Sequence, residues 1–139
     1  MKIEMKEDDI RKMITFAKGK IPEEACGLIA GTESAGIRRI EKIYFLTNMD
    51  HSSDHFSLDP AEHLSAIKDM RSLGYIPLGN WHSHPQTPSR PSAEDIRLAY
   101  DSTASYLILS LENEDEPVLN SFHVENGMVA REELAVKNN

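Results

Sequence analysis

Cysteine is nearly absent from this chain, which has one, Cys26, in 139 residues. A lone thiol cannot form an internal disulfide, so the fold must rest on packing, and a reducing compartment suits it. Long apolar runs are missing as well. None approaches the ~20 residues of a membrane-spanning helix, and the opening stretch MKIEMKEDD is charged where a signal peptide has its apolar core. The expectation is a soluble, cytoplasmic protein with no membrane partner. There is no lysine or arginine cluster either. With 23 acidic residues against 15 basic ones, the formal net charge of -8 repels a phosphate backbone, and nucleic acid is not an expected partner. The glycine patterns G-x-G-x-x-G and G-x-x-x-x-G-K-[ST] do not occur, which removes support for dinucleotide and P-loop chemistry. The paired H-x-E and P-C-x-x-C signature of zinc deaminases is absent too.

What remains is the profile of an ordinary globular protein, with 40% hydrophobic and 27% charged residues. The length predicts one domain over residues 1–139 with a core of its own. From Glu7 to Lys18, Ile10, Met13, Ile14 and Ala17 recur at helical spacing, with acids in the first turn and Lys18 at the end. Pro22 breaks that pattern. The short apolar run ACGLIAG, closed by Gly31, reads as a buried strand, and residues 37–46 as a second one after the turn TESAG. Residues 47–59 are polar, with HFSL as a possible short strand. Asp59 caps a helix that starts at Pro60 and runs to about Leu73, and YIPLGNWH resumes extended structure. Ser92 opens a helix to about Tyr100, and three closing strands follow within SYLILSL, PVLNSFHV and GMVARE. The fold class expected is α/β (α+β), with a central mixed, largely antiparallel sheet flanked by helices.

The densest chemistry lies in GNWHSHPQTPSRPSAED, residues 79–95. Residues i and i+2 of a strand share a face, so His82 and His84 direct two imidazoles at one point. Pro85, Pro88 and Pro91 stiffen the loop that follows and can return the chain on a defined path. Asp95, in the first turn of the next helix, can then supply a third ligand. Two imidazoles and one carboxylate suit catalytic zinc, which keeps a fourth position for water; a closed structural site wants four protein ligands. A dication with one carboxylate ligand stays net positive and acidifies water. The competing reading is a polar turn: SAED is a good helix start, with Ser92 as N-cap and acids that favour the dipole. Cys26, alone in an apolar strand, reads as a core residue. His51, His55, His63 and His123 read as surface or hydrogen-bonded structural residues, and Trp81 as packing beneath the ligand face.

His82-Ser83-His84-Pro85 followed by Pro91-Ser92-x-x-Asp95 resembles the motif of the JAMM (MPN+, JAB domain) zinc metalloproteases. Ten residues separate His84 from Asp95, with Ser92 three before the aspartate. The family also places a glutamate upstream in a Glu-x-Cys-Gly context, matched here by Glu24-Ala25-Cys26-Gly27. The likeness covers nearly the whole chain and is closest to the short prokaryotic branch, which includes enzymes that release cysteine from a sulfur-carrier protein. It implies one zinc per chain held by His82, His84 and Asp95, with Glu24 as general base and Ser92 as an oxyanion donor, beyond any capping role. It further implies a metallopeptidase or isopeptidase acting after the glycine-ended tail of a ubiquitin-like or sulfur-carrier protein. Such a tail would lie extended beside a strand of the sheet. The alternative is a non-catalytic interaction domain of the same fold, against which the presence of all five residues counts. Chain length leaves no room for the insertions with which eukaryotic deubiquitinases of the family grip polyubiquitin.

Overall fold

The computed structural model describes residues 2–139. Ten elements follow one another: β1 (Lys2–Lys6), α1 (Glu7–Lys18), β2 (Cys26–Ser34), β3 (Ile37–Leu46), α2 (Pro60–Ser72), β4 (Ile76–His84), α3 (Ala93–Arg97), β5 (Ser105–Ser110), β6 (Val118–Glu125) and β7 (Met128–Lys137). The strands join in the order β1-β3-β2-β4-β5-β6-β7, and β1 also pairs with β7, so the sheet closes into a barrel. Pairing is antiparallel for β2 with β3 and β4, and for β6 with β5 and β7. It is parallel where β1 meets β3 and β7 and where β4 meets β5. The mixed sheet expected from sequence is therefore present, closed upon itself.

β1 lies in a stretch read from sequence only as a charged opening. Its alternation explains it: Ile3 and Met5 are buried, while the charged residues between and after them are not. Two apolar residues make too short a period-two signal to stand out among charges. Helix α1 follows as its spacing predicts, with Met13 and Ala17 packed on Ile3, Met5, Ile29 and Trp81. Helix α2 begins at Pro60, where the Asp59 carboxylate accepts from the Ala61 amide, and buries Ala66 and Met70 against Leu28, Ala30 and Tyr44. Strand β2 is thus covered on both faces, and so its sequence runs apolar without alternation. HFSL contributes only an isolated bridge between Leu58 and Asn48. Helix α3 is shorter than its pattern suggests, ending at Arg97, and Tyr100 is exposed.

Register places the site. Ile29 pairs with Gly79 but Ala30 with Pro77, so Leu78 is an extra residue in β4. The bulge shifts the phase of the strand, putting Leu78 and Trp81 in one core while Asn80 and His82 face a cleft. Gly79 adopts φ +155, and a Cβ there would lie 1.9 Å from the Ser105 carbonyl oxygen. Only glycine lets β4 and β5 approach so closely.

Candidate active site

Beyond the bulge, β4 carries two imidazoles to its end. His82 pairs with Ile108 and His84 with Ser110 of β5, and Leu111 N–H donates to the His84 carbonyl, so the strand end does not fray. The proline-rich loop then turns back under side-chain staples: Ser110 Oγ donates to Thr87 O, Ser89 Oγ to Ile108 O, and Asn120 Nδ2 to Ser89 O. It delivers Ser92 as the N-cap of α3. Ser92 Oγ accepts from Asp95 N at 3.0 Å, and Ser92 N donates to Asp95 Oδ2 at 2.9 Å, a reciprocal capping box. The capping reading is therefore part of the structure, and it also fixes the carboxylate that faces the histidines.

Asp95 Oδ2 lies 3.2 Å from His82 Nε2 and 3.1 Å from His84 Nε2, and the two nitrogens are 3.0 Å apart. Three ligand-type atoms thus form a nearly equilateral triangle. His84 Nδ1 donates to Pro88 O at 2.9 Å, so the protonated ring donates from Nε2 to Asp95, while the neutral ring, the form a metal would bind, turns its Nε2 lone pair to that triangle. Phe56 covers His82, with ring centroids 4.9 Å apart. Glu24 is the second carboxylate. It precedes β2 in a segment without regular structure, is buried, and offers an oxygen within 4.8 Å of both imidazoles. Its Oε1 has no hydrogen-bond partner among the described residues.

Electrostatics separate the two carboxylates. Burial pushes the Glu24 carboxyl up to about 8, against the cationic pull of His84. Burial also opposes ionisation of Asp95, but hydrogen bonds from His82 and His84 outweigh it and hold this carboxyl far below the usual range. Burial lowers His82. For His84 the same desolvation is overcome by the Asp95 and Pro88 hydrogen bonds, and its pKa is raised. One carboxylate is a permanent anion among imidazoles, and the other is poised to exchange a proton near neutrality.

Tetrahedral zinc with bonds of ~2.0–2.1 Å has ligand-to-ligand edges of roughly 3.3 Å. The observed triangle has this scale, and its atoms are the borderline-soft nitrogens and the carboxylate oxygen that zinc takes. Glu24 Oε1 beside it is a buried polar group that no atom of the described residues satisfies. These residues fit the ion. An apolar cleft of about 450 Å³ opens next to His82 and Asp95, walled by Phe56, Leu58, Leu98, Tyr106 and Ile108.

The structure brings Glu24, His82, His84, Ser92 and Asp95 to one place. Cys26 is buried opposite His82 in the β2–β4 register, and Trp81 packs behind the ligand face, donating to Tyr44 O. His51 bonds Glu23, His55 bonds Asp50, and His123 bonds Glu132, while His63 lines the cleft. Three neighbours carried no sequence signal. Ser83, between the two histidines, accepts from Ala25 N through Oγ and donates its own N–H to Ala25 O. Phe56 and Asn48 come from the irregular 47–59 loop, where no periodicity marks a buried residue.

A family model described as prokaryotic homologs of the JAB domain matches residues 6–124. A CysO-cysteine peptidase of Mycobacterium tuberculosis is 32% identical over 129 residues, covering 93% of this chain and 87% of that protein. A desampylase of Haloferax volcanii is 34% identical over 95 residues, 68% of this chain and 67% of the relative. A solution structure of a protein from Desulfitobacterium hafniense superposes with a TM-score of 0.91 at 46% identity, over 99% of this chain and 94% of that one. The chain belongs to the prokaryotic JAB domain family. Its named relatives are peptidases and desampylases, and it is a hydrolase of the same kind.

Proposed function

We propose that the protein is a zinc-dependent peptidase or isopeptidase that hydrolyses the bond after the C-terminal glycine of a ubiquitin-like or sulfur-carrier protein. The observation that carries this reading is the triangle of His82, His84 and Asp95 with Glu24 set beside it. The relatives add the substrate class, since one is named for a carrier-cysteine bond and another for removing a protein modifier.

Zinc held by His82, His84 and Asp95 would supply Lewis acidity to the scissile carbonyl and to the attacking water. Glu24 takes the proton from that water and returns it to the leaving amine. Burial raises the Glu24 carboxyl, which makes it a stronger base for that proton than an exposed glutamate. Ser92 can cap α3 and serve the reaction together. Its Oγ accepts from Asp95 N, which uses a lone pair and leaves the hydroxyl hydrogen free to donate to a developing oxyanion. The cleft beside His82 and Asp95 is the place for the tail residues next to the scissile glycine.

Adjacent glutamates test the assignment. Glu23 lies at the surface bonded to His51, whereas Glu24 is buried at the imidazoles. On a reporter fused to a ubiquitin-like protein ending in Gly-Gly, Glu24→Gln should retain zinc and substrate binding and lose roughly 10²-fold or more in turnover. Glu23→Gln should stay close to wild type. Equal turnover in the two variants, or loss of zinc from Glu24→Gln, would show the role to be misassigned.

A further inference from the structure

Glu24 has no secondary structure of its own to hold it, yet a general base must keep its place closely, since a ~1 Å displacement can cost about 10²-fold in rate. Its backbone is held by the 47–59 loop. Glu24 N–H donates to Ser52 O at 2.7 Å, and Glu24 O accepts from Asn48 Nδ2 at 3.1 Å. Asn48 is buried and stands at the neck of that loop, joined to Leu58 by the isolated bridge. The same Nδ2 lies 3.1 Å from His55 O and 3.4 Å from Ser52 O, while Oδ1 accepts from Asp50 N at 3.0 Å and Ser57 N at 3.4 Å. The orientation of the amide is not ambiguous. Flipped, it would set an oxygen against three carbonyls and an NH₂ against two N–H groups.

One side chain therefore gathers both limbs of the loop and ties them to Glu24. The loop in turn places Phe56 on the ring of His82, so a single clamp serves the proposed base and one wall of the imidazole pair. From the opposite side, Ser83 of β4 grips Ala25. We propose that Asn48 is a positioning residue for the reaction, acting through the Glu24 backbone; the inference rests on the reading of Glu24 as general base.

The test compares wild type with Asn48→Ala and, as a milder change, Asn48→Ser, alone and combined with Glu24→Gln. Ser57→Ala, which removes only a bond to Asp50 within the loop, is the control expected to match wild type. Amide exchange followed by NMR should rise about tenfold or more at Glu24 and at Ser57, with Trp81 and Leu107 amides protected as before and zinc content unchanged. Turnover of the Gly-Gly reporter should fall about tenfold with KM little moved, and the Asn48 change should add nothing in the Glu24→Gln background. Slow exchange at Glu24 with full turnover, additive losses in the double variant, or failure of both Asn48 variants to fold would each overturn the proposal. Wild-type turnover by Glu24→Gln alone would instead refute the reading of the base, whatever Asn48 does.

Discussion

At the scale of single residues, the site asks for two opposite things: groups that react and a neighbour that does not. Cys26 sits opposite His82 in the sheet, fully buried, with its Sγ turned to the Leu46 carbonyl. Burial, reinforced by the charge of Glu62 and Glu24, pushes its thiol up to about 12. At pH 8 the thiolate fraction is then on the order of 10⁻⁴, so alkylation of the native protein should be negligible and should go to completion only in denaturant. Mass spectrometry after iodoacetamide treatment reads this directly. Cys26→Ser should keep its turnover, because the proposed nucleophile is water; rapid native labelling that abolishes activity would point to thiol chemistry. The candidate site residues were legible in sequence to the extent that chemistry coincides with local pattern. His82 and His84 obey the strand period of two, and Ser92 and Asp95 form a capping signature that is also a ligand approach. Asn48, Phe56 and Ser83 act across sequence separations of 24 to 58 residues, and nothing in their immediate neighbours announces it.

At the scale of elements, the β3 backbone at Tyr44 and the Trp81 indole press on β2 three residues after Glu24, and Gly27 permits this. A Cβ at that position would stand 1.7 Å from Tyr44 O and 2.5 Å from Trp81 Nε1, breaking the indole's bond to the same carbonyl. Gly27→Ala should destabilise the protein by about 1–3 kcal/mol or more, the range of an overpacked core. Urea unfolding should show it as a lower midpoint with an unchanged slope; a midpoint equal to wild type would mean that the strands separate without cost. The helices and most strands follow from their periodicity, since burial on one face writes itself into spacing. Two features do not. The bulge at Leu78 reverses the alternation of β4 in mid-strand, and β1 is too short and too charged for its two inward residues to register. Helix α3 also stops earlier than its acids and apolar residues suggest, leaving Leu98 and Tyr100 beyond its last turn.

At the scale of the whole molecule, a buried polar network ties the barrel together away from the site. Arg38 of β3 donates to Ser105 Oγ of β5, which donates to Glu132 Oε1 of β7. Ser121 of β6 reaches the same oxygen and His123 the other one. Side chains of β5 and β6 converge on one β7 carboxylate with no exposed side-chain surface, and Arg38 joins β3 to them through Ser105. Removing it strands its donors in the interior, so Glu132→Ala should lose about 3–5 kcal/mol, the usual cost of breaking a buried charged contact. Calorimetry would register this as a clear drop in melting temperature. A smaller effect than that of an exposed ion pair such as Arg11 with Glu7 would contradict the weight given to the network.

The same ring has a consequence for how the chain comes to be folded. β1 hydrogen-bonds to β3 in the first third of the chain and to β7 at its far end, with Lys2 opposite Glu133 and Lys6 opposite Lys137. Contacts spanning that much sequence are slow to form. During synthesis the first strand leaves the ribosome long before its second partner exists. Until β7 has emerged, the edges of β1 and β6 that it covers stay unpaired, and free strand edges of this kind invite association with other chains.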